Sequence, residues 1–421
     1  MSASVLAQLA LGYRYLWSRE RRPVAVELHI EPGDAKVDAQ HLVTTLTELW
    51  PAQAPRLLLS VRHAALLHDL LLHGPANGTG VVVPDVALAH PAIRLNLAQA
   101  HTRGLFLVWK GEAGHGPAAD IASCFSLCMY SLNANQTALA SQACAVASTA
   151  SDSAHTQAPQ DARDTALRAA ANALLPTGQV LLTPRSSPLA DWALDERAAW
   201  AVAGWPVDDA LERMRLQLQV PGPDRRIIER LIQAIDRDAS LEQLGQLLSA
   251  GPVLAYRFLA HINRLALKAP GPVDTLQRGL MVWGLSNVQA WLREQLNGAS
   301  DTPNLFPLRA QIVTRARLLE HLLDPGDEDD LRQELYLCGL LSQIDALLGQ
   351  SMADALQALP LSHRILDALL QHKGPYYAGL QLAHLLESAD TRAIHQFCVG
   401  QGFAQDEVNR ALLRAVSATP L

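Results

Sequence analysis

The sequence predicts two domains of different fold class, a parallel α/β domain followed by an all-helical one. In the first half of the 421 residues, short apolar runs bounded by turn residues alternate with leucine-rich segments of helical spacing, the order typical of a parallel sheet. Beyond residue 220 the strand pattern ends and every segment has helical periodicity. We therefore expect an α/β domain at 1–215 and a helical domain at 221–421.

Apolar runs predict the strands of the first domain. Each run is short, rich in Val, Leu or Ile, and bounded by turn or charged residues. They cover residues 23–30, 56–61, 80–84, 104–109 and 178–183. Segments with helical spacing lie between them, at 40–50 and 64–72.

A change of composition interrupts this domain at 131–164. Ala, Ser, Thr, Gln and Asn dominate the segment, and large apolar residues are scarce. Because a strand-like run follows at 178–183, we interpret the segment as a flexible, low-complexity insertion within the first domain. A neutral expansion is favoured over a regulatory loop, since surface loops tolerate insertions.

Helix boundaries are marked in the second half. The apolar residues of 225–236 fall on one face of a helix. Ser240 with Gln243 has the spacing of a capping box, and Ser286 with Gln289 repeats it. Pro suits the first turn of the helix that follows residue 304. The connections are short, as in a compact all-helical domain.

Composition argues against several classes of partner. The chain has 34 Lys and Arg against 41 Asp and Glu, a net charge of -7, so it lacks the basic surface that nucleic acids and anionic membranes attract. The most leucine-rich stretch, 57–72, contains Arg62, His63, His68 and Asp69, which argues against a transmembrane helix. The N-terminal basic residues follow the apolar part, the reverse of a secretory signal, so we expect a cytoplasmic protein.

Candidate metal and catalytic residues are few. His68 and Asp69 are possible metal ligands by type, but no second His lies on their helix face, and a solvated face is favoured. The acidic run 324–330 lacks the Gly and Glu of a calcium loop and is predicted to connect two helices. The five cysteines are too scattered for a disulfide framework or a zinc site and are expected to be reduced. We expect no catalytic, metal-binding or cofactor-binding residues, and no cofactor.

Short motifs follow one another in a fixed order through the helical half, between residues 221 and 390. They are LEQL at 241–244, GPVL at 251–254, INR at 262–264, VDTLQRGL at 273–280 and WGLSNV at 283–288. Together they resemble the HDOD domain, the HD-related output domain of bacterial signalling proteins. The resemblance implies a compact helical domain with a role in signal transduction.

One segment departs from the pattern of the related catalytic HD phosphohydrolases. CGLLSQID at 338–345 is similar to their GLLHDIGKL motif, whose His and Asp hold a metal. Ser342 and Gln343 stand at those two places, and a hydroxyl and an amide are poor substitutes for imidazole and carboxylate on a divalent metal. The resemblance therefore implies a domain without phosphohydrolase activity.

The first domain has motifs of its own. They are ELH at 27–29, VVVPD at 81–85, GLFLVWK at 104–110, ADWALDER at 190–197 and AGWP at 203–206. In this order they resemble a degenerate EAL domain, the TIM-type barrel of cyclic di-GMP phosphodiesterases. In that family carboxylates at three of these strands hold the metal ions, and here only Glu27 is retained. The resemblance implies a barrel scaffold without the hydrolytic chemistry.

The two resemblances together imply a non-catalytic bacterial signal-transduction protein, a pseudo-enzyme that acts by protein–protein interaction on an unknown signalling partner. We expect an apolar groove between helices of the HDOD-like domain to take part. Aromatic residues anchor many interfaces. The candidate anchors are Trp283, Trp291, Tyr376 and Tyr377.

Two alternatives stay open. In the first, the barrel binds cyclic di-GMP without cleaving it, and Arg14, Arg56 and Arg94 are the candidate phosphate contacts. In the second, which is less favoured, the chain is a residual metal-dependent phosphodiesterase. The missing carboxylates count against the second alternative.

Overall fold

The computed structural model describes residues 4–33, 37–74, 78–150, 158–216, 221–265, 273–323, 326 and 329–418. The chain divides into two compact units. The first, here called the barrel unit, comprises 1–209 and 386–413, and the second, the helical unit, comprises 210–385 and 414–421. The change of unit near residue 210 lies close to the predicted domain boundary. The segment 386–413, which the sequence analysis grouped with the helical domain, packs in the barrel unit instead.

Eight strands of the barrel unit form a closed barrel. They are β1 (Leu9–Trp17), β2 (Pro23–Pro32), β3 (Arg56–Val61), β4 (Gly80–Pro84), β5 (Phe106–Glu112), β6 (Leu127–Ser131), β7 (Val180–Leu182) and β8 (Ala201–Ala203). Strands β2 to β8 are parallel, and β1 closes the barrel antiparallel to both β2 and β8. The prediction of an α/β domain is confirmed, and its sheet is a barrel.

The strands are apolar because both of their faces are covered. Parallel strands with helices outside and packed side chains inside have nearly continuous hydrophobic sequences. The interior is filled by one cluster of buried side chains. It contains Leu16, Ala25, Leu58, Val82, Val108, Leu127, Met129, Val180, Leu182, Ala201 and Ala203.

All five predicted strands are present, with small differences at their ends. The sequence analysis assigned no strand to β1, β6 or β8. β6 (LCMYS) and β8 (AVA) lack the run of Val, Leu and Ile that marks the predicted strands. Pairing with neighbouring strands, a long-range effect, establishes these segments as strands.

Helices follow most of the strands. They are α1 (Ala39–Leu49), α2 (Ala64–His73), α3 (Pro91–Thr102), α4 (Ala134–Ala150), α5 (Ala158–Leu174), α6 (Ser187–Asp191) and α7 (Val207–Leu216). The predicted helices at 40–50 and 64–72 correspond to α1 and α2. Across the described parts of the chain, none of the helices combines the length and the apolar character that crossing a bilayer requires.

The prediction of a flexible insertion at 131–164 is wrong for the described part of that segment. Helix α4 covers most of it, and α5 begins before its end. Alanine, the most frequent residue there, has the highest helix propensity of all residues, so a segment poor in large apolar side chains is helical nonetheless. Residues 151–157 lie outside the described residues.

Helices make up the helical unit. They are α8 (Arg225–Asp236), α9 (Leu241–Ser249), α10 (Pro252–Arg264), α11 (Leu276–Trp283), α12 (Leu285–Gln295), α13 (Leu305–Leu322), α14 (Asp329–Leu341), α15 (Ile344–Leu348), α16 (Met352–Gln357), α17 (His363–Leu370) and α18 (Gly374–Leu386). The prediction that this half is helical is confirmed.

Local side-chain bonds determine where several of these helices begin. Ser240 and Gln243 form the predicted capping box at the start of α9. The second predicted box is wrong, because α12 begins one residue before Ser286, after Gly284 with its positive φ of 81°. Asn263 connects the end of α10 to Val273, since its side chain accepts from the backbone N–H of Val273 and donates to the carbonyl of the same residue.

Two further helices complete the chain, α19 (Thr391–Gln401) and α20 (Gln405–Ser417). Asn409 of α20 is fully buried, and its Nδ2 donates to the carbonyl oxygens of Leu6 (2.8 Å), in the short helical turn before β1, and of Leu9 (2.7 Å), the first residue of β1. These bonds satisfy polar backbone groups that are buried in the barrel unit. They explain why residues 386–413 belong to the barrel unit although they lie far from it in sequence.

Candidate functional site: the mouth of the barrel

A buried carboxylate lies inside the barrel. Glu27, on β2, has no solvent exposure. Its Oε1 accepts a charge-assisted hydrogen bond from Nζ of Lys110 on β5 at 2.5 Å, and its Oε2 lies 3.4 Å from NH1 of Arg14 on β1. Nδ1 of His29, two residues along the same strand, lies 3.8 Å from Oε1. Three different strands therefore place basic groups around one carboxylate.

The charges of this cluster determine its protonation. Burial alone raises the pKa of Glu27, but the positive charges of His29 when protonated, of Lys110 and of Arg14 outweigh it and lower the pKa to about 2. Burial lowers the pKa of His29 to about 4, with a further contribution from Arg14 and Lys110, although Glu27 opposes the shift. At neutral pH Glu27 is therefore ionised and His29 is neutral.

A cavity of about 1140 Å³ opens beside this cluster, at the carboxyl ends of the parallel strands. In barrels of this kind, that face carries the functional residues. Basic residues of the lining include Arg14, His29, Arg62, His90 and Lys110. The side chain of His29 is buried, and its Nε2 has no hydrogen-bond partner among the described residues.

Acidic residues also line the cavity, but two of them are engaged elsewhere. Asp85 accepts a hydrogen bond from Nε1 of Trp109 at 3.0 Å, and Glu112 accepts one from the side chain of Asn133. The third, Glu31, lies near the end of β2. These three acidic residues therefore lie around the mouth, whereas Glu27, which is paired with Lys110, lies in the interior of the barrel.

The residues at Glu27 do not fit a divalent metal ion. A metal needs several carboxylate, imidazole or similar donors converging on one point. Here the ammonium of Lys110 occupies one oxygen of Glu27, and Arg14 approaches the other. Within the described ranges, no group of three or more His, Cys, Asp or Glu residues could hold a metal ion.

The predicted phosphate contacts lie in different places. Arg14 lines the cavity. Arg56 begins β3, at the opposite end of the strand from the cavity, and its guanidinium lies over the ring of Phe106 at 4.2 Å. Arg94 lies on α3 and forms an ion pair with Asp120. The structure therefore places only Arg14 of the three at the mouth.

Sequence reasoning missed the residues that define the site. Lys110 and His29 both lie in apolar strands, where a charged or titratable side chain is uncommon. A lysine directly after the predicted strand at 104–109 was a signal that the barrel contains a buried acid. Arg62, directly after β3, could have been found by its position at the carboxyl end of a strand.

The predicted aromatic anchors differ in exposure. Trp291 and Tyr376 are buried, and Trp291 packs against Phe258 with ring centroids 5.6 Å apart. Trp283 and Tyr377 are partly exposed. Trp291 and Tyr376 therefore serve the core of the helical unit, because a buried ring offers little area to a partner.

The other candidates from the sequence have structural roles. Nδ1 of His68 lies 3.1 Å from Oδ1 of Asp69 on a partly exposed part of α2. Ser342 donates to the carbonyl of Gly339 at 2.6 Å, and Gln343 precedes α15 as its N-cap residue. All five cysteines are free. Of the acidic run at 324–330, residues 324, 325, 327 and 328 lie outside the described residues.

Comparison with known proteins gives partial matches. No protein-family model matches the chain. Over 173 residues, 41% of its length, the chain is 22% identical to the cyclic di-GMP phosphodiesterase CdgJ of Vibrio cholerae. Over 165 residues, 38% of its length, it is 26% identical to the uncharacterized protein YuxH of Bacillus subtilis. The matches span 40% and 37% of these curated relatives, respectively.

Two solved structures show a limited likeness. Both are crystal structures of the MmoQ response regulator of Methylococcus capsulatus. The first has a TM-score of 0.38 and 18% identity, and it covers 45% of this chain and 97% of that chain. The second, of fragment 20–298, has a TM-score of 0.34 and 17% identity, covering 42% of this chain and 91% of that chain. TM-scores this low give the likeness no weight for fold or function.

Proposed function

We propose that this chain is a non-catalytic signal-transduction protein that acts by protein–protein interaction, with a degenerate EAL-like barrel and an HDOD-like helical region. The ion pair between Glu27 and Lys110 carries the proposal. In the EAL resemblance Glu27 is the one retained metal-binding carboxylate, and here an ammonium group occupies it. The similarity to CdgJ, named as a cyclic di-GMP phosphodiesterase, supports a place in cyclic di-GMP signalling.

The non-catalytic part is tested by hydrolysis of cyclic di-GMP with Mg²⁺ or Mn²⁺. We expect no turnover by the purified full chain. Turnover that disappears in Glu27→Gln would overturn the proposal and establish the residual phosphodiesterase. Stoichiometric retention of Mg²⁺, Mn²⁺ or Fe by the purified protein would also count against it.

An exposed apolar pair on α11 supports the interaction part. Met281 is 65% exposed and Val282 38% exposed, directly before the partly exposed Trp283. Large apolar side chains that stay in water next to an aromatic ring are typical of interaction surfaces. We expect Met281→Lys to abolish recovery of a specific protein from native lysate. Val399→Lys, which changes an equally exposed apolar residue on α19, is the matched control.

The cavity at the barrel mouth favours a second candidate function, binding of cyclic di-GMP without hydrolysis. Its volume of about 1140 Å³ is ample for a dinucleotide, and Arg14, Arg62 and Lys110 could contact phosphates. The unpartnered Nε2 of His29 is a further polar group available to a ligand. This function would make the barrel unit a sensor.

Isothermal titration with cyclic di-GMP, with and without Mg²⁺, tests the second candidate. If the barrel mouth binds, Arg62→Ala should weaken binding by about tenfold or more, since a charge-assisted contact is lost. Arg56→Ala is the matched control, because Arg56 lies at the other end of the same strand and does not line the cavity. If titration of the wild-type chain releases no heat, the second candidate function is ruled out and only protein–protein interaction is retained.

A further inference from the structure

Three basic side chains share one face of α10 in the helical unit. Arg257, His261 and Arg264 are spaced four and three residues apart, so they lie one above another on the helix surface. With Trp291 and Gln295 of α12 they line a cavity of about 220 Å³. No acidic side chain is among the described residues that line this cavity.

Arg257 is half-buried without a carboxylate partner in the described part of the chain. Its NH1 lies 3.4 Å from Oε1 of Gln295, a neutral acceptor. Burial lowers the pKa of Arg257, and no anionic group offsets that effect. Because desolvation of a guanidinium is costly unless an anion compensates for it, this face favours binding of an anionic group.

The other two basic residues extend the same face. NH2 of Arg264 lies 3.4 Å from Nδ1 of His261, which holds the two side chains together. The carboxylate of Glu294 on α12 raises the pKa of His261, but Glu294 is exposed and lies outside the cavity lining. The helix dipole accounts for cations in the last turn of α10, such as Arg264, but not for Arg257 two turns earlier.

Aromatic rings form a rigid wall beside these charges. The ring of His261 lies 5.0 Å from that of Trp283 and 6.0 Å from that of Trp291, and Phe258 packs against both indoles. A wall of this kind excludes water, and the lower local dielectric strengthens the attraction between the basic groups and an anion.

We propose that this cavity between α10 and α12 binds a phosphoryl group, either free phosphate or the phosphate monoester of a small molecule. The forked guanidinium groups of Arg257 and Arg264 match the geometry of phosphate oxygens. The volume of about 220 Å³ is below the roughly 300 to 1,000 Å³ of pockets for drug-sized ligands, which suits one phosphoryl group. This site is separate from the barrel mouth, since all of its residues belong to the helical unit.

Phosphorus NMR of the full chain with inorganic phosphate, and separately with GMP, tests the proposal. We expect saturable broadening of the phosphorus signal. Arg257→Gln and Arg264→Gln should each weaken binding by about ten- to a hundredfold, since each removes a charge-assisted contact. Arg293→Gln is the matched control, because it removes an exposed charge of α12 outside the cavity lining and should change binding less than twofold.

The comparison of ligands identifies the source of the phosphoryl group. Tighter binding of GMP than of phosphate indicates a phosphate monoester, and equal binding indicates free phosphate. Arg56→Ala, which removes an arginine of the barrel unit that lines neither cavity, should leave both affinities unchanged. No saturable broadening at millimolar phosphate and GMP would overturn the proposal, as would an equal loss in Arg257→Gln, Arg264→Gln and Arg293→Gln. Because Arg264 is exposed, its variant folds even if Arg257→Gln does not.

Discussion

Nζ of Lys110 lies 2.5 Å from Oε1 of Glu27 in the interior of the barrel, and Glu27 has no contact with solvent. A buried carboxylate is stable only with a compensating charge or hydrogen bonds. Lys110, whose side chain is 25% exposed, supplies that charge from β5, three strands away around the barrel, and keeps its own access to water. The pair therefore does from within the chain what a bound cation would otherwise do.

Removing the ammonium should destabilise the barrel unit. We expect Lys110→Met to lower the free energy of unfolding by about 3 to 5 kcal/mol, because the carboxylate of Glu27 is left buried without its nearest counter-charge. Urea denaturation measures the change. In the double variant Glu27→Gln with Lys110→Met, both charges are gone and most of the loss should be recovered. A double variant as unstable as the single one would contradict this account of the pair.

Stability should fall on acidification in two steps. The pKa of folded His29 is about 4 against an ordinary 6.5, so between pH 6.5 and 4 the unfolded chain binds a proton that the folded chain excludes. The pKa of folded Glu27 is about 2 against 4.5, so its contribution is present above pH 4.5 and is lost as pH falls towards 2.

Replacement of His29 separates the two steps. In His29→Gln the loss of stability between pH 6.5 and 4, about 3 kcal/mol in the wild type, should be largely absent. The loss below pH 4.5 should become smaller but persist, because Lys110 and Arg14 still lower the pKa of Glu27 after the charge of His29 is gone. Chemical denaturation at a series of pH values checks this, and an unchanged profile between pH 6.5 and 4 in the variant would rule out His29 as the cause.

Two helical glycines should respond oppositely to the same substitution. A Cβ at Gly339 of α14 would collide with the backbone of Ala316 of α13, so Gly339→Ala should destabilise by about 1 to 3 kcal/mol. A Cβ at Gly245, inside α9, meets no atom within 4 Å, so Gly245→Ala should stabilise by about 0.5 to 1 kcal/mol. Thermal unfolding compares them, and equal shifts would contradict the close approach of α13 and α14.

Asn409 should be essential to the packing of α20 in the barrel unit. Asn409→Ala leaves the carbonyl oxygens of Leu6 and Leu9 without their buried donor, and we expect a loss of about 1 to 3 kcal/mol. Glu407→Ala, an exposed position on the same helix, should change stability by less than about 0.5 kcal/mol. Hydrogen exchange of β1 gives a second measurement, since its first residues should lose protection only in Asn409→Ala.

Local pattern was sufficient for much of the fold. The apolar runs at 56–61 and 80–84 were recognisable as strands because turn residues bound them. The capping box of Ser240 and Gln243 was readable because its two hydrogen bonds join neighbouring residues. Where the pattern was weak the predictions failed: β8 has three residues, and the alanine-rich α4 lacks an apolar stripe.

The candidate site was less accessible to sequence reasoning. Glu27 was identified through a resemblance, but its partner Lys110 is 83 residues away and no local rule connects the two. The same is true of Arg14, which was named for a phosphate contact and in fact lies 3.4 Å from Glu27. A cluster of this kind becomes visible only when strands that are distant in sequence are placed side by side.

The sequence by itself determined that this protein has an α/β half and a helical half, because apolar periodicity and turn residues act over a few positions. Tertiary structure alone decided that β1 closes the barrel, that residues 386–413 return to it through Asn409, and that Lys110 neutralises Glu27. The physical reason is the distance along the sequence over which each interaction acts. Helices and strands follow from neighbouring residues, whereas strand pairing, buried ion pairs and cavities depend on groups that only the folded chain brings together.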